Sequence, residues 1–154
     1  MSQKEVAHEV LTLEMQGEIF AIDANRVREI LDLVPVTEVP NSQPFVNGLV
    51  NVRGKVVPLA DLRLRFGMAT PPPTIDTRIV VIDAEVSGEA TAVGILADRV
   101  YEVTEIMPAA IEETPRIGLK WHQEYIAGIG KRGSDFIIIL DMEQVLAGAP
   151  AATH

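Results

Sequence analysis

Gly128-Ile129-Gly130-Lys131-Arg132-Gly133 has the spacing of a dinucleotide-binding glycine loop. Such a loop holds a cofactor only where it joins a strand to a helix, whose N-terminus receives the pyrophosphate. The next segment, Asp135-Phe136-Ile137-Ile138-Ile139-Leu140, reads as a strand. The glycines are therefore expected in a hairpin turn, with no cofactor. Gly130-Lys131 also lacks the earlier glycine and the following Ser or Thr of a P-loop. His8, His122 and His154 lie far apart, in no metal-ligand spacing, and there is no cysteine. No metal is expected. Ser2, Ser42, Ser87 and Ser134 sit in no nucleophile elbow, and Glu112-Glu113 reads as a solvated pair. No set of residues spells a catalytic site, so the expectation is a protein that is not an enzyme.

Two charged residues stand out instead. Arg53 falls at a hairpin tip, and Glu29 lies on a strand at the same parity as Val27 and Leu31. If the hairpin folds back over that strand, the two can pair. The other reading is two unrelated surface charges, since an exposed pair contributes only ~0–1 kcal/mol.

The elements that would carry these residues are mostly strands. Val10 to Met15 alternates, Gln16-Gly17 breaks the run, and Glu18 to Ile22 resumes it, which is a hairpin. Asp23 can cap a helical turn through Arg26. Val27 to Leu31 reads as a strand, followed by another from Val34 to Val39, because Pro35 and Pro40 forbid a long helix. Leu49 to Val52 and Lys55 to Leu59 flank Arg53-Gly54, with Gly54 free to take positive φ. Pro58 suggests an edge strand, or an N–H position facing no partner. Asp61 caps a short helix from Leu62 to Phe66, stopped at Gly67. Met68 to Asp76, with Pro71-Pro72-Pro73, reads either as an extended connector or as a plain surface loop.

The second half repeats the first. Phe20 to Ile30 lies over Val93 to Val103, Phe45 to Leu49 over Tyr125 to Ile129, and Val57 to Leu62 over Ile137 to Met142. These matches in the same order, the last two in one register, predict a mostly β fold of two pseudo-repeated five-stranded barrels. Closing a sheet removes its exposed edges. The expected boundaries are 8–148 for one domain, with lobes near 8–68 and 77–148 and strands free to exchange across the seam. Residues 1–7 and 149–154 are expected to be flexible tails.

Composition narrows the functions. Of 154 residues, 47% are hydrophobic but only 5% aromatic, so aliphatic side chains must fill the core. Thirteen basic against 22 acidic residues give a net charge of -9. That disfavours nucleic acid, which needs clustered Lys and Arg, and a polybasic membrane anchor. No apolar run nears the roughly 18 residues that span a bilayer, and no signal-peptide core follows Met1. A soluble cytoplasmic protein without membrane insertion is expected.

The stretch Phe45-Val46-Asn47-Gly48-Leu49-Val50-Asn51-Val52-Arg53-Gly54-Lys55-Val56-Val57-Pro58-Leu59-Ala60-Asp61-Leu62-Arg63 resembles the signature of the CheW-like domain family. That signature has an aromatic, Gly, an apolar residue, Asn-x-Arg-Gly, an apolar-Pro-apolar stretch and Asp-Leu-Arg. Phe20-Ala21-Ile22-Asp23, Val27-Arg28-Glu29-Ile30 and Tyr125-Ile126-Ala127-Gly128-Ile129-Gly130 also fit, so the likeness spans about residues 8 to 148. The resemblance implies two intertwined SH3-like barrels. It implies a scaffold of chemotaxis arrays, coupling chemoreceptor cytoplasmic tips to the regulatory domain of the histidine kinase CheA. With neither receiver nor kinase parts visible, the freestanding form is expected, recruited from the cytoplasm to membrane-associated arrays. An adaptor of a related pathway, such as control of twitching motility, is the nearer alternative; a small-ligand-binding barrel is the more distant one. The resemblance places Val27, Glu29, Arg53 and Leu49 at a receptor-binding groove, and Val36, Thr37 and Gly48 toward a kinase-binding surface. Lys55 departs from the pattern, which has an apolar residue after Arg-Gly.

Overall fold

Alternating aliphatic residues separated by glycine turns build strands, and the turns set their register. The structure, a computed structural model, describes residues 8–38, 46–86, 88–107, 111–112, 123–132 and 135–147. Strands β1 (His8–Met15) and β2 (Glu18–Asp23) pair antiparallel around Gln16 and Gly17, both at positive φ. A single 3-10 turn, Ala24–Arg26, is capped by the Asp23 carboxylate, which accepts from the Asn25 N–H at 3.0 Å. It leads into β3 (Val27–Asp32). Then come β4 (Val46–Val52), β5 (Lys55–Ala60) and helix α1 (Leu62–Arg65), with Asp61 as N-cap. The second half runs β6 (Arg78–Val86), β7 (Glu89–Ala97), β8 (Arg99–Ile106), β9 (Ile111–Glu112), a 3-10 turn Gln123–Tyr125, β10 (Ile126–Arg132), β11 (Asp135–Leu140) and helix α2 (Met142–Val145).

The repeat read from the sequence is physical. The hairpin-and-helix unit β4–β5–α1 recurs as β10–β11–α2, and the Asp61 and Asp141 side chains cap corresponding helices. The two halves exchange strands symmetrically. One curled sheet has the order β8-β1-β2-β11-β10-β9, the other β3-β6-β7-β5-β4. Each sheet takes its opening hairpin from one half and its remaining strands from the other. The exchange is closed by two short parallel ladders, β2 beside β11 and β7 beside β5. Both sheets were expected to have five strands; the first has six, because β9 adds a two-residue edge to β10.

Three apolar clusters follow from this arrangement. The largest lies between the sheets and joins Leu13, Phe20, Ile22, Val80, Ile95 and Leu140, with both short helices packed on it. Each sheet also curls around a smaller cluster of its own: Val10, Ala21, Ile106 and Ile137 in one, Val50, Val57, Leu59, Ile79, Val81 and Leu96 in the other. Phe20 and Phe66 stack with ring centroids 5.7 Å apart, and Phe66 meets Tyr125, so these three rings gather at the seam, while Tyr101 and Phe136 are exposed.

Several local expectations change. The strand expected over Val34 to Val39 reduces to one bridge, Thr37 to Leu49; Val39 lies outside the described residues. Pro35 supplies no N–H there, so a continuous ladder cannot extend through it. Pro58 lies in an interior strand rather than at an edge. It sits opposite Leu49, just before the parallel ladder to β7 begins at Leu59. Gly128 and Gly130 belong to strand β10 itself, which pairs with β11 as far as Arg132 opposite Asp135; Gly133 lies outside the described residues. His8 is an exposed residue at the start of β1, while His122, His154, the four serines and Glu113 lie outside the described residues, as do both expected tails.

Candidate adaptor surface

The β4–β5 hairpin turns through Arg53 (φ 54) and Gly54 (φ 83), both left-handed. Such a two-residue turn matches the twist of the strands it joins. The Asn51 side chain fixes it, accepting from the Gly54 N–H at 2.8 Å. A non-glycine residue at positive φ is uncommon, and here it aims the guanidinium back over β3. Arg53 Nη2 lies 3.1 Å from Glu29 Oε1, and Nε donates to the same oxygen at 3.3 Å. The Arg53 side chain is 80% exposed and that of Glu29 25%. The pair forms part of the wall of a cavity of about 370 Å³, with Arg28 and Lys55 beside it and Val52, Val57, Val81 and Ala92 lining the rest. Val52, Val57 and Val81 belong to the small core inside the five-stranded sheet, so this cavity opens onto that core.

Val27 is not part of this lining. The β3–β6 ladder slips between Val27 and Glu29, so Arg28 forms a bulge. A bulge flips the face presented by every residue beyond it. Val27, opposite Ile82, packs against the core between the sheets; Glu29 and Leu31, opposite Val81 and Ile79, face the other way. The shared parity expected of Val27 and Glu29 therefore fails. Leu49 also lies outside the lining.

Leu49 instead joins the second group of candidate residues. Its N–H and C=O both bond to Thr37, at 2.8 Å each. Gly48 precedes it at φ 152, so close to Thr37 that an added Cβ would lie 2.2 Å from the Thr37 oxygen. Val36, Thr37, Gly48 and Leu49 thus form one patch on the β4 edge, with Val36 and Thr37 exposed. From Leu49 to Val52 along β4 is roughly 10 Å at a strand's rise, so the patch and the cavity share one hairpin.

A buried ion cluster holds the corner behind them. Arg63 grips Asp61 with two bonds, Nε to Oδ1 at 2.9 Å and Nη2 to Oδ2 at 2.8 Å, and reaches Asp98 at 2.9 Å. Asp98 in turn accepts from the Gln16 N–H at 2.8 Å. The hydrogen bond to Asp61, above all, raises the Arg63 pKa further, against the opposing effect of burial. This ties α1, the β1–β2 turn and the β7–β8 corner together. Asp61 was legible as a cap; its two-bond grip on Arg63, and the part played by Asp98, were not.

Among the described residues no group of three His, Cys, Asp or Glu could hold a metal ion, and no helix is long and apolar enough to cross a membrane. The arrangement offers a charged rim over an apolar floor and a separate edge patch, which is suited to gripping other proteins.

A model of the CheW-like domain matches residues 9–149. The chain is 30% identical over 147 residues to the chemotaxis protein CheW of Klebsiella aerogenes, covering 96% of this chain and 86% of that protein. It is 33% identical over 129 residues to the chemotaxis protein CheW of Helicobacter pylori, covering 84% of this chain and 75% of that one. The crystal structure of the scaffolding protein TtCheW from Thermoanaerobacter tengcongensis superposes with a TM-score of 0.80 at 28% identity, over 92% of this chain and 93% of that.

Proposed function

The chain belongs to the CheW-like domain family and is a chemotaxis signalling adaptor, and we propose that it joins chemoreceptor cytoplasmic tips to the histidine kinase CheA through two surfaces of one hairpin. The family is one of scaffolds rather than enzymes. The observation that carries the division of labour is the Arg53–Glu29 pair beside an apolar-floored cavity. A receptor helix presents aliphatic anchors one turn apart, and a cavity continuous with the small core suits such an anchor. Val27 supports this surface from behind β3, while Leu49 connects it to the edge patch. Val36 and Thr37 then face the kinase's regulatory domain, with Gly48 beneath allowing Thr37 its close approach.

Such an adaptor works by geometry. Receptor motion shifts the kinase equilibrium if the contacts differ between states by ~1–3 kcal/mol. The protein is recruited from the cytoplasm to receptor arrays by these contacts alone. The matched relatives are named for chemotaxis, which favours that pathway over a related one such as twitching control. Reconstitution tests the reading: kinase and receptor are mixed with and without this protein, and phosphotransfer is followed. Receptor-controlled kinase activity should require it. Equal receptor control in its absence would refute the coupling role.

A further inference from the structure

Lys55 is the residue at which this chain departs from the pattern after Arg-Gly, and it lines the cavity. Of the three cations there, Arg53 is paired with Glu29 and Arg28 with Asp83. Lys55 is exposed and has no carboxylate partner among the described residues. We infer that Lys55 is a specificity residue: the cavity takes an aliphatic side chain of a partner helix, and the Lys55 ammonium receives an acidic side chain of the same helix one turn away.

Two observations support this. The chain as a whole carries a charge of -9, yet cations outnumber anions around this cavity by three to one. An acidic segment is repelled by the rest of the surface and drawn to this spot, so charge also fixes its register. The fold does not demand a lysine. Lys55 pairs across its hairpin with Val52, and the corresponding position of the repeated hairpin, paired with Arg132, is Asp135. The same corner accepts either sign of charge, which leaves the ammonium free to serve a partner. The apolar floor alone would accept any aliphatic anchor; the ammonium discriminates among helices by what lies one turn away.

The inference rests on the receptor-coupling reading above, and the test separates the two. The probe is the isolated cytoplasmic hairpin of a chemoreceptor from the same genome, titrated calorimetrically at low and high salt. Each tip Glu of the hairpin is also changed to Lys in turn. Lys55→Met should weaken binding about three- to tenfold at low salt and flatten its salt dependence. Lys55→Glu should weaken it further, and one Glu→Lys hairpin should bind Lys55→Glu better than it binds the unaltered protein. Thermal melting of both variants should match that of the unaltered protein. If Lys55→Glu binds the hairpin normally while Arg53→Glu does not, the inference falls and the coupling reading stands. If Lys55→Glu changes only the oligomeric state, the occupant is a second copy and the inference falls. If the unaltered protein binds no hairpin, both fall.

Discussion

Gly48→Ala places one methyl group where the structure has no room for it. The added carbon would sit 2.2 Å from the Thr37 oxygen, 2.9 Å from its carbonyl carbon and 3.1 Å from Glu38 Cα. All three are backbone atoms, so no side chain can swing aside. Ordinary contact distances of about 3.5 Å require the Thr37 carbonyl to retreat by roughly 1 Å. The two 2.8 Å bonds between Thr37 and Leu49 then stretch beyond hydrogen-bond range. Each contributes about 0.5–1.5 kcal/mol net, so their loss costs ~1–3 kcal/mol. Holding alanine at φ 152 adds about 1 kcal/mol or more of strain. The expected total is ~2–4 kcal/mol, read from urea unfolding as a lower midpoint with an unchanged slope. The edge patch should also detach, lowering affinity for the kinase's regulatory domain. A loss under about 0.5 kcal/mol with kinase binding intact would refute the steric reasoning.

Arg63→Met leaves the buried Asp61 carboxylate without its counter-ion and should cost about 3–5 kcal/mol in chemical denaturation. Adding Asp61→Leu should recover part of that loss, because the unpaired charge goes with it; no recovery would mean that helix capping dominates. The Tyr101 hydroxyl donates to Glu14, and that bond, more than burial, raises the phenol pKa above its usual 10. The folded state holds this proton more tightly, so its stabilising effect is present below pH 10 and is lost as pH rises through the raised value. Glu14→Gln should bring phenolate absorbance back to lower pH; an unchanged titration would exclude that hydrogen bond as the cause.

The repeat was legible because it resides in short-range signals. Asp61 and Asp141 both precede a single helical turn, and the glycine-punctuated hairpins before them match strand for strand. Which strands join the halves was not legible. Each parallel ladder rests on two residue pairs, Leu59 with Gly94 and Ala60 with Ile95 in one sheet, and no local pattern marks them. At the site, the sequence offered the Arg53–Glu29 encounter only as one of two readings, beside two unrelated surface charges; the curl of the sheet, which brings the β4–β5 hairpin over β3, decides for the pair. The separation of Val27 from Glu29 was not legible, because a bulge at Arg28 inserts one residue and alternation cannot register it. Nothing in the sequence singles out Asp98; only the folded chain brings it to Arg63. The single bridge at Thr37 likewise replaces a strand because Pro35 interrupts the donors that a ladder needs.

Coupling at the Arg53–Glu29 corner is tested most directly by Arg53→Ala in a reconstituted array of receptor and kinase, with a parallel thermal melt. The Arg53 side chain is 80% exposed, so stability should change by no more than about 0.5 kcal/mol. Receptor-controlled kinase activity should fall sharply, and exchanging the charges by Glu29→Arg with Arg53→Glu should restore part of what either single change removes. Full kinase control by Arg53→Ala in a folded protein would contradict the assignment of this corner to the receptor.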